Sequence, residues 1–388
     1  MVAYRDGFDT AGNPVGWTVV TTGDLKAVTF MAHDAYSVTV VCDTGRGILT
    51  WQSLRAVADD VTDTVKEPVI DTPCTSAPPV RRQVTGTFTQ GGSVQLDDAD
   101  AKPTSASPDF TLSVPDGTFD LVASTDLADP AMNQTLIRRG VTVSSTSTTV
   151  GTVDASGGLA QAALSLSLDN PPSDDPMKST EIVTATVDVK TKPNATPARV
   201  SQATYNLTDK AIKLYGLPSA MLLPTDTQSA TFSGSDNPKD PNKITTIATN
   251  RSITKPFVIG DDTETGKAGF SLPSKIAIPG WRMDAGRLSV ALPTLPTLDT
   301  VSIVTSQQSG ANTTTYEIDI TQGYFDSTAL ARPVFDTSIT GFKPEWKINF
   351  NLGYDREVTT EHDTFDDGVF VSHETSQFFE NVPAPKTP

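Results

Sequence analysis

The sequence predicts an all-β chain made of tandem β-sandwich domains, the last one large and either jelly-roll-like or an extended sandwich. Three observations carry this. Short runs such as 36–42, 110–114, 119–123, 183–189, 316–320 and 346–352 place an apolar residue at nearly every second position, with Thr, Ser, Asp or Lys between. A period of two marks a strand with one buried face and one wet face. No run of comparable length keeps a helical period. Two proline-rich polar stretches, 72–81 and 169–178, interrupt the alternation. Consecutive prolines cannot sit in a central strand and favour an extended spacer. They divide the 388 residues into a small N-terminal β domain at 1–76, a sandwich at 82–168 and a large C-terminal β domain at 179–388.

Each element follows from its own pattern. In the first segment, 17–21, 27–31, 36–42 and 48–52 read as strands separated by Gly- and Asp-rich turns. In the second, Val84, Gly86 and Phe88 alternate, Gln90-Gly91-Gly92 turns the chain, and Val94 and Leu96 follow. Phe110, Leu112 and Val114 then run into Pro115-Asp116-Gly117, after which Phe119, Leu121 and Ala123 resume. Asp-Gly between alternating runs predicts a hairpin. Strands are expected again at 141–143 and 150–153, with a short helix or long loop at 126–138. The third segment predicts twelve short strands, at 182–190, 203–207, 211–215, 230–233, 244–248, 269–272, 287–292, 300–304, 315–321, 338–340, 345–352 and 368–372. That spacing fits a large sandwich.

Charge excludes some partners. The formal net charge is −17, and so acidic a surface repels phosphate backbones and anionic lipid, which excludes nucleic acid and peripheral membrane binding. No run of 18 apolar residues predicts a transmembrane segment. Residues 1–9 lack the basic and apolar regions of a secretory signal. Two readings follow, an intracellular protein or a mature chain without its signal, and the expectation is the second: a secreted or cell-surface chain whose signal sequence is absent from this sequence.

Candidate chemistry is sparse. His362 and His373 lie near Asp366 in one acidic C-terminal stretch, and a hairpin turning at Asp366-Asp367-Gly368 would bring imidazole and carboxylate metal ligands together. The alternative is a solvated acidic hairpin. Acidic runs at 97–100, 173–175, 261–264 and 364–367 raise calcium as a cofactor, although none has the spacing that lets one loop encircle the ion; no other cofactor is expected. No nucleophile elbow, P-loop or dinucleotide fingerprint occurs, and no catalytic residue is nominated. Trp281, flanked by Pro279-Gly280 and Gly286, is expected in a loop where it contacts a ligand or plugs the end of a sandwich. Cys42 and Cys74 are the two cysteines. Bonded, they would contribute roughly 3.5–4 kcal/mol by the chain-entropy estimate; the alternative is two separate thiols, one of them buried.

Val84-Thr-Gly-Thr-Phe88, Ser93-Val-Gln-Leu96 and Phe110-Thr-Leu-Ser-Val-Pro-Asp-Gly-Thr-Phe-Asp-Leu-Val-Ala123 resemble the carboxypeptidase regulatory-like domain, a transthyretin-like sandwich of seven strands. Pro115, Gly117, Phe119 and Leu121 fit that family's middle motif, with Phe where Tyr is commoner; Gly86 and Phe88 fit the opening strand less closely. The whole chain, through Trp17 and the strand ending in Val40-Val41-Cys42, also resembles uncharacterised secreted or lipid-anchored proteins of myxobacteria. The resemblance implies an envelope or extracellular location and a spacer or accessory role, with no catalytic residues to carry over.

The expected function is therefore a non-catalytic extracellular or cell-surface protein with a structural or binding role, its partner unidentified: a cell-envelope component, a glycan or a protein. The alternatives are a hydrolase acting on polysaccharide or peptide from the C-terminal domain, and a virion or appendage subunit pairing through strand edges.

Overall fold

The computed structural model describes residues 2–7, 15–21, 35–43, 48–57, 80–144, 148–170, 181–193, 195–205, 211–236, 246–257, 269–276, 279–284, 287–291, 299–324, 352–366 and 369–384. These are almost entirely β. The first segment holds β1 (Val2–Asp6), β2 (Thr18–Thr21), β3 (Ala35–Asp43) and β4 (Ile48–Val57). The second holds β5 (Arg81–Phe88), β6 (Gly92–Leu96), β7 (Ala99–Ala101), β8 (Asp109–Pro115), β9 (Gly117–Thr125), β10 (Gln134–Val143), β11 (Thr148–Val153), β12 (Leu159–Ala160) and β13 (Ala162–Ser167). The third holds β14 (Ile182–Lys190), β15 (Ala198–Thr204), β16 (Ala211–Gly216), β17 (Thr227–Asp236), β18 (Thr246–Pro256), β19 (Gly280–Asp284), β20 (Arg287–Ala291), β21 (Thr300–Ser309), β22 (Asn312–Thr321), β23 (Tyr354–Asp366) and β24 (Val369–Val382).

The middle segment closes on itself. A three-stranded sheet, β11-β5-β8, faces a five-stranded sheet, β12-β10-β9-β6-β7, and their inward alternation supplies one core from Val84, Phe88, Phe110, Leu112 and Val114 on one side and Val94, Leu96, Leu121, Ala123 and Val141 on the other. The chain crosses between these sheets at both of its glycine turns. β8 pairs with β5, whereas β9 pairs with β10 and β6. Pro115-Asp116-Gly117 is therefore a corner between sheets and not the expected hairpin: the inward residues on its two sides fill one core from opposite walls. Residues 134–138 belong to β10, where a helix or loop was expected, and only a single 3-10 turn at Pro130–Met132 precedes them.

The long sheet has twelve strands in the order β15-β14-β17-β18-β24-β23-β21-β22-β4-β3-β1-β2. Strand pairing crosses both proline-rich boundaries. β4 runs parallel to β22, from Ile48 opposite Thr313 to Arg55 opposite Ile320, so the first segment extends the sheet of the third. Similarly, β13 pairs with β16 along its whole length. That two-stranded sheet packs on the β14–β17 half of the long sheet around Leu164, Leu214, Val187 and Phe232. Val122 of β9 joins this second core while its neighbours Leu121 and Ala123 fill the first. A strand buried on both faces reads as a continuous apolar run, as Leu121-Val-Ala123 does, and it docks the middle sandwich onto the large one.

Several expected strands are longer or displaced. β23 and β24 pair as the two arms of the acidic C-terminal hairpin expected there, although Glu, Thr, His and Asp dominate β23 and little apolar alternation marks it as a strand. Residues 269–272 make only a bridge from Phe270 to Leu168. The strands expected at 27–31 and 338–340, and most of 345–352, lie outside the described residues.

Candidate functional site

The two histidines of the C-terminal hairpin do not share a site. In the β23–β24 ladder His362 lies opposite Glu374, and Asp363 lies opposite His373. Successive residues of a strand point to opposite faces, so the two imidazoles are on opposite sides of the sheet. His362 Nδ1 meets Asp299 Oδ1 at 3.3 Å, while His373 Nδ1 meets Asp363 Oδ1 at 2.5 Å. Asp366 forms the last pair of the ladder, opposite Val369, and is exposed. No group of three potential ligands that could hold a metal ion occurs among the described residues; the expected His362–His373–Asp366 site is not assembled there. Of the acidic runs weighed for calcium, Asp98 is held by Arg81 through two hydrogen bonds at 2.9 and 2.6 Å, and residues 173–175, 261–264 and 367 lie outside the described set.

Trp281 is in β19, opposite Val290 of β20, rather than in a loop. Cys42 is buried in β3, and no described cysteine is free. Cys74 lies outside the described residues.

Asp363 and His373 belong instead to a polar face that sequence reasoning missed. The face runs across the centre of the long sheet, and its side chains are bonded strand to strand. Thr231 and Thr254 share a hydrogen bond of 2.8 Å, Ser252 and Thr375 one of 2.7 Å, Asn250 donates to Gln377, and Gln377 donates to Glu357. Further along, Ser302 donates to Glu317. Burial, together with the charges of Asp319 and Glu357, pushes the Glu317 carboxyl up to about 7 against the opposing Ser302 bond. Burial also raises Asp319, assisted by Glu361 and opposed by hydrogen bonds from Ser302 and Gln52. The reverse face is apolar and closed: Val301, Ile303, Tyr316, Ile318, Val358, Phe378 and Trp51 are buried.

A concave feature among the described residues lies elsewhere. A cleft of about 980 Å³ separates the β6–β7 edge of the middle sandwich from β15, the last strand of the long sheet. Gln95, Asp98, Asp100 and Lys102 line one wall, and Arg199, Gln202 and Thr204 line the other. β15 is a sheet edge, and the opposing unit covers part of it. Gln95 Nε2 donates to the Pro197 carbonyl at 2.8 Å and Gln161 Nε2 to the Val200 carbonyl at 3.4 Å. Capping an edge in this way blocks pairing with a foreign strand along those residues.

An ionic clamp outside the cleft also joins the middle sandwich to the third segment. Arg139 reaches from β10 to Asp120 of β9 at 3.2 Å and to Asp226 of the third segment at 2.5 Å. Burial pushes the Asp120 carboxyl up, but the Gly140 amide, the Thr191 hydroxyl, Arg139 and Lys192 outweigh it and leave the group below its usual range. The Asp226 side chain is fully buried and also accepts a hydrogen bond from the Leu223 amide at 2.9 Å. The candidate site is therefore a polar cleft held between two sandwiches, with hydrogen-bonding side chains converging from both walls. Compared with known proteins, the chain matches no family model and no curated protein sequence.

Proposed function

We propose that this chain is a non-catalytic protein of the cell surface or extracellular space, and that it binds a polar, extended ligand in the cleft between its middle sandwich and β15. The observation that carries the reading is the cleft itself: about 980 Å³, walled by carboxylates, amides and one guanidinium from two separately cored units. Side chains of that kind fix the orientation of a hydroxyl- or amide-rich ligand by hydrogen bonds. A glycan or an extended peptide of the envelope has this chemistry.

Titration calorimetry of the full chain against neutral oligosaccharides and unstructured peptides tests it. A binder is expected whose affinity falls about tenfold in Arg199→Ala, while Arg82→Ala, whose partner Asp116 lies at a corner away from the cleft, leaves it unchanged. Binding unaffected by Arg199→Ala, or no binder in either class, would overturn the assignment.

Two further parts belong to the same reading. The middle sandwich is proposed as a carboxypeptidase regulatory-like spacer; support comes from its two-sheet architecture and from Gly86, where a Cβ would meet the Phe110 ring at 2.6 Å. A Cys42–Cys74 disulfide is proposed as its extracellular signature, and non-reducing peptide mapping checks it: two alkylatable thiols would refute it. The hydrolase reading keeps one supporting observation, the Asp363–His373 pair, in which a carboxylate orients an imidazole. A hydroxyl partner for the other ring nitrogen is not found among the described residues.

A further inference from the structure

The β23–β24 hairpin outruns the sheet that carries it. β24 is paired with β18 only as far as His373, opposite Thr254, and β23 with β21 only as far as Glu361, opposite Thr300. Beyond those positions, among the described residues, the two arms pair only with each other, from Asp363 opposite His373 to Asp366 opposite Val369. The ladder shifts register between Thr364 and Phe365, where Thr364 faces Ser372 but Phe365 faces Phe370. The extra residue is Val371. A bulge of this kind bends a strand and re-aims its side chains, and here it puts the Phe365 and Phe370 rings edge to face, 5.9 Å apart. The result is an apolar tip in water: Val369 is 67% exposed, Phe365 39% and Val371 37%.

Exposed large apolar side chains gathered on a projecting element are costly to solubility and mark contact surfaces. Charge decides what they contact. From 357 to 385 the sequence has seven Asp or Glu and no Lys or Arg. Lys255, on the neighbouring strand, turns its ammonium to the Gly269 carbonyl. A lipid bilayer is a poor host, because Asp366 lies one ladder step beyond the phenylalanine pair and would enter the hydrocarbon first. A second copy is also disfavoured, since two such tips bring like charges together on a chain of net charge −17.

We propose that the tip of the β23–β24 hairpin is a docking wedge for a partner protein that presents an apolar pocket rimmed by Lys and Arg. Phe365, Val369 and Phe370 enter the pocket, and Glu361, Asp366 and Glu374 meet its cationic rim. This surface is separate from the cleft, so the two proposals stand or fall independently.

The test uses a synthetic helical peptide with a leucine stripe flanked by lysines, titrated into the full chain by fluorescence anisotropy at about 150 mM salt, where surface charges act over ~8 Å. Wild type is expected to bind. Phe365→Ser with Phe370→Ser should weaken binding about tenfold, and Val369→Ser, which touches little of the fold, about threefold. Leu223→Ser removes an apolar residue exposed elsewhere and should change nothing. Peptide that fails to bind, or binds all tip variants as tightly as wild type, overturns the proposal. So does flotation with phosphatidylcholine vesicles that Val369→Ser abolishes, which would make the occupant lipid. A dimer in sedimentation that Val369→Ser dissociates would assign the tip to a second copy instead.

Discussion

Glu181 and Arg251 show what a single buried charge demands in this chain. The carboxylate is 2% exposed and the guanidinium 12%, and two hydrogen bonds of 2.7 and 2.9 Å join them. Arg251 also donates to the Pro273 carbonyl, and the Lys275 ammonium approaches Glu181 at 3.3 Å. Such a pair contributes little over an apolar replacement, but losing one partner strands the other. Arg251→Leu is expected to destabilise the protein by about 3 kcal/mol in urea unfolding, and adding Glu181→Leu should recover at least half of that. A double variant as unstable as the single one would mean that packing, not the stranded charge, sets the loss. Glu317 works in the opposite sense. Its ordinary value of 4.5 rises to about 7 in the folded chain, so the native state holds this proton more tightly than the unfolded state. The contribution of Glu317 to stability is then greatest at acid pH and falls as pH rises from about 4.5 through 7. Partial solvent screening reduces the effect to about 1–2 kcal/mol. Glu317→Gln should be more stable than wild type by that amount near about pH 8 and equal to it near about pH 4; a constant difference across that range would refute the assignment.

At the scale of elements, glycine turns set where the middle sandwich crosses from sheet to sheet. Gly92 has φ +134°, and a Cβ there would lie 2.1 Å from the Ser124 carbonyl oxygen, a backbone atom that cannot step aside. Gly140 also has positive φ, +69°, but no atom stands within 4 Å of its Cβ position. Gly92→Ala should therefore cost about 3 kcal/mol or more, through strain and displaced backbone together, while Gly140→Ala costs only about 1 kcal/mol of backbone strain. Thermal melts of both variants check this, and equal losses would show that conformation alone matters. The same two levels explain what was legible in the sequence. Val84, Phe88, Phe110 and Leu121 announced strands because a one-sided core writes its period into the chain. Which strands pair was not legible, because a corner at Asp116-Gly117 and a hairpin at Asp-Gly use the same residues. β23 was legible only through the turn signal at Asp366-Asp367-Gly368, since one of its faces carries Glu357, Thr359, Glu361 and Asp363 and its stability comes from its neighbours rather than from its own apolar content. The cleft was invisible for a related reason. Its walls come from Asp98–Lys102 and Arg199–Thr204, about a hundred residues apart, and polar residues carry no period that would link them. Trp281, the one residue chosen for its exposure in a loop, falls in β19 because its neighbours pair with β20.

At the scale of the whole molecule, the seam between β4 and β22 ties the first segment to the third. The seam is parallel, a pairing that a short turn cannot make, and among the described residues it is what connects β1–β3 to the rest of the long sheet. Its buried face centres on Trp51, stacked on Tyr316 at 5.6 Å between centroids, with Ser53 beside Ile318 in the ladder and hydrogen-bonded to Thr39 at 2.8 Å. Contacts this distant in sequence form late in folding and open as a unit. A proline at Ser53 removes a ladder donor and crowds the neighbouring strand. In Ser53→Pro, β1–β4 are expected to peel away together while the middle sandwich, whose core shares no residue with the seam, stays folded. Limited proteolysis should then cut within 35–57 and spare 81–143. The uncovered β22 edge, alternating Tyr316, Ile318 and Ile320, should drive self-association visible by sedimentation, as an unprotected apolar edge does. If cleavage instead spreads evenly through both regions, the long sheet and the middle sandwich unfold as one body, and the buried Val122 contact between them, rather than the β4–β22 seam, governs how the molecule comes apart.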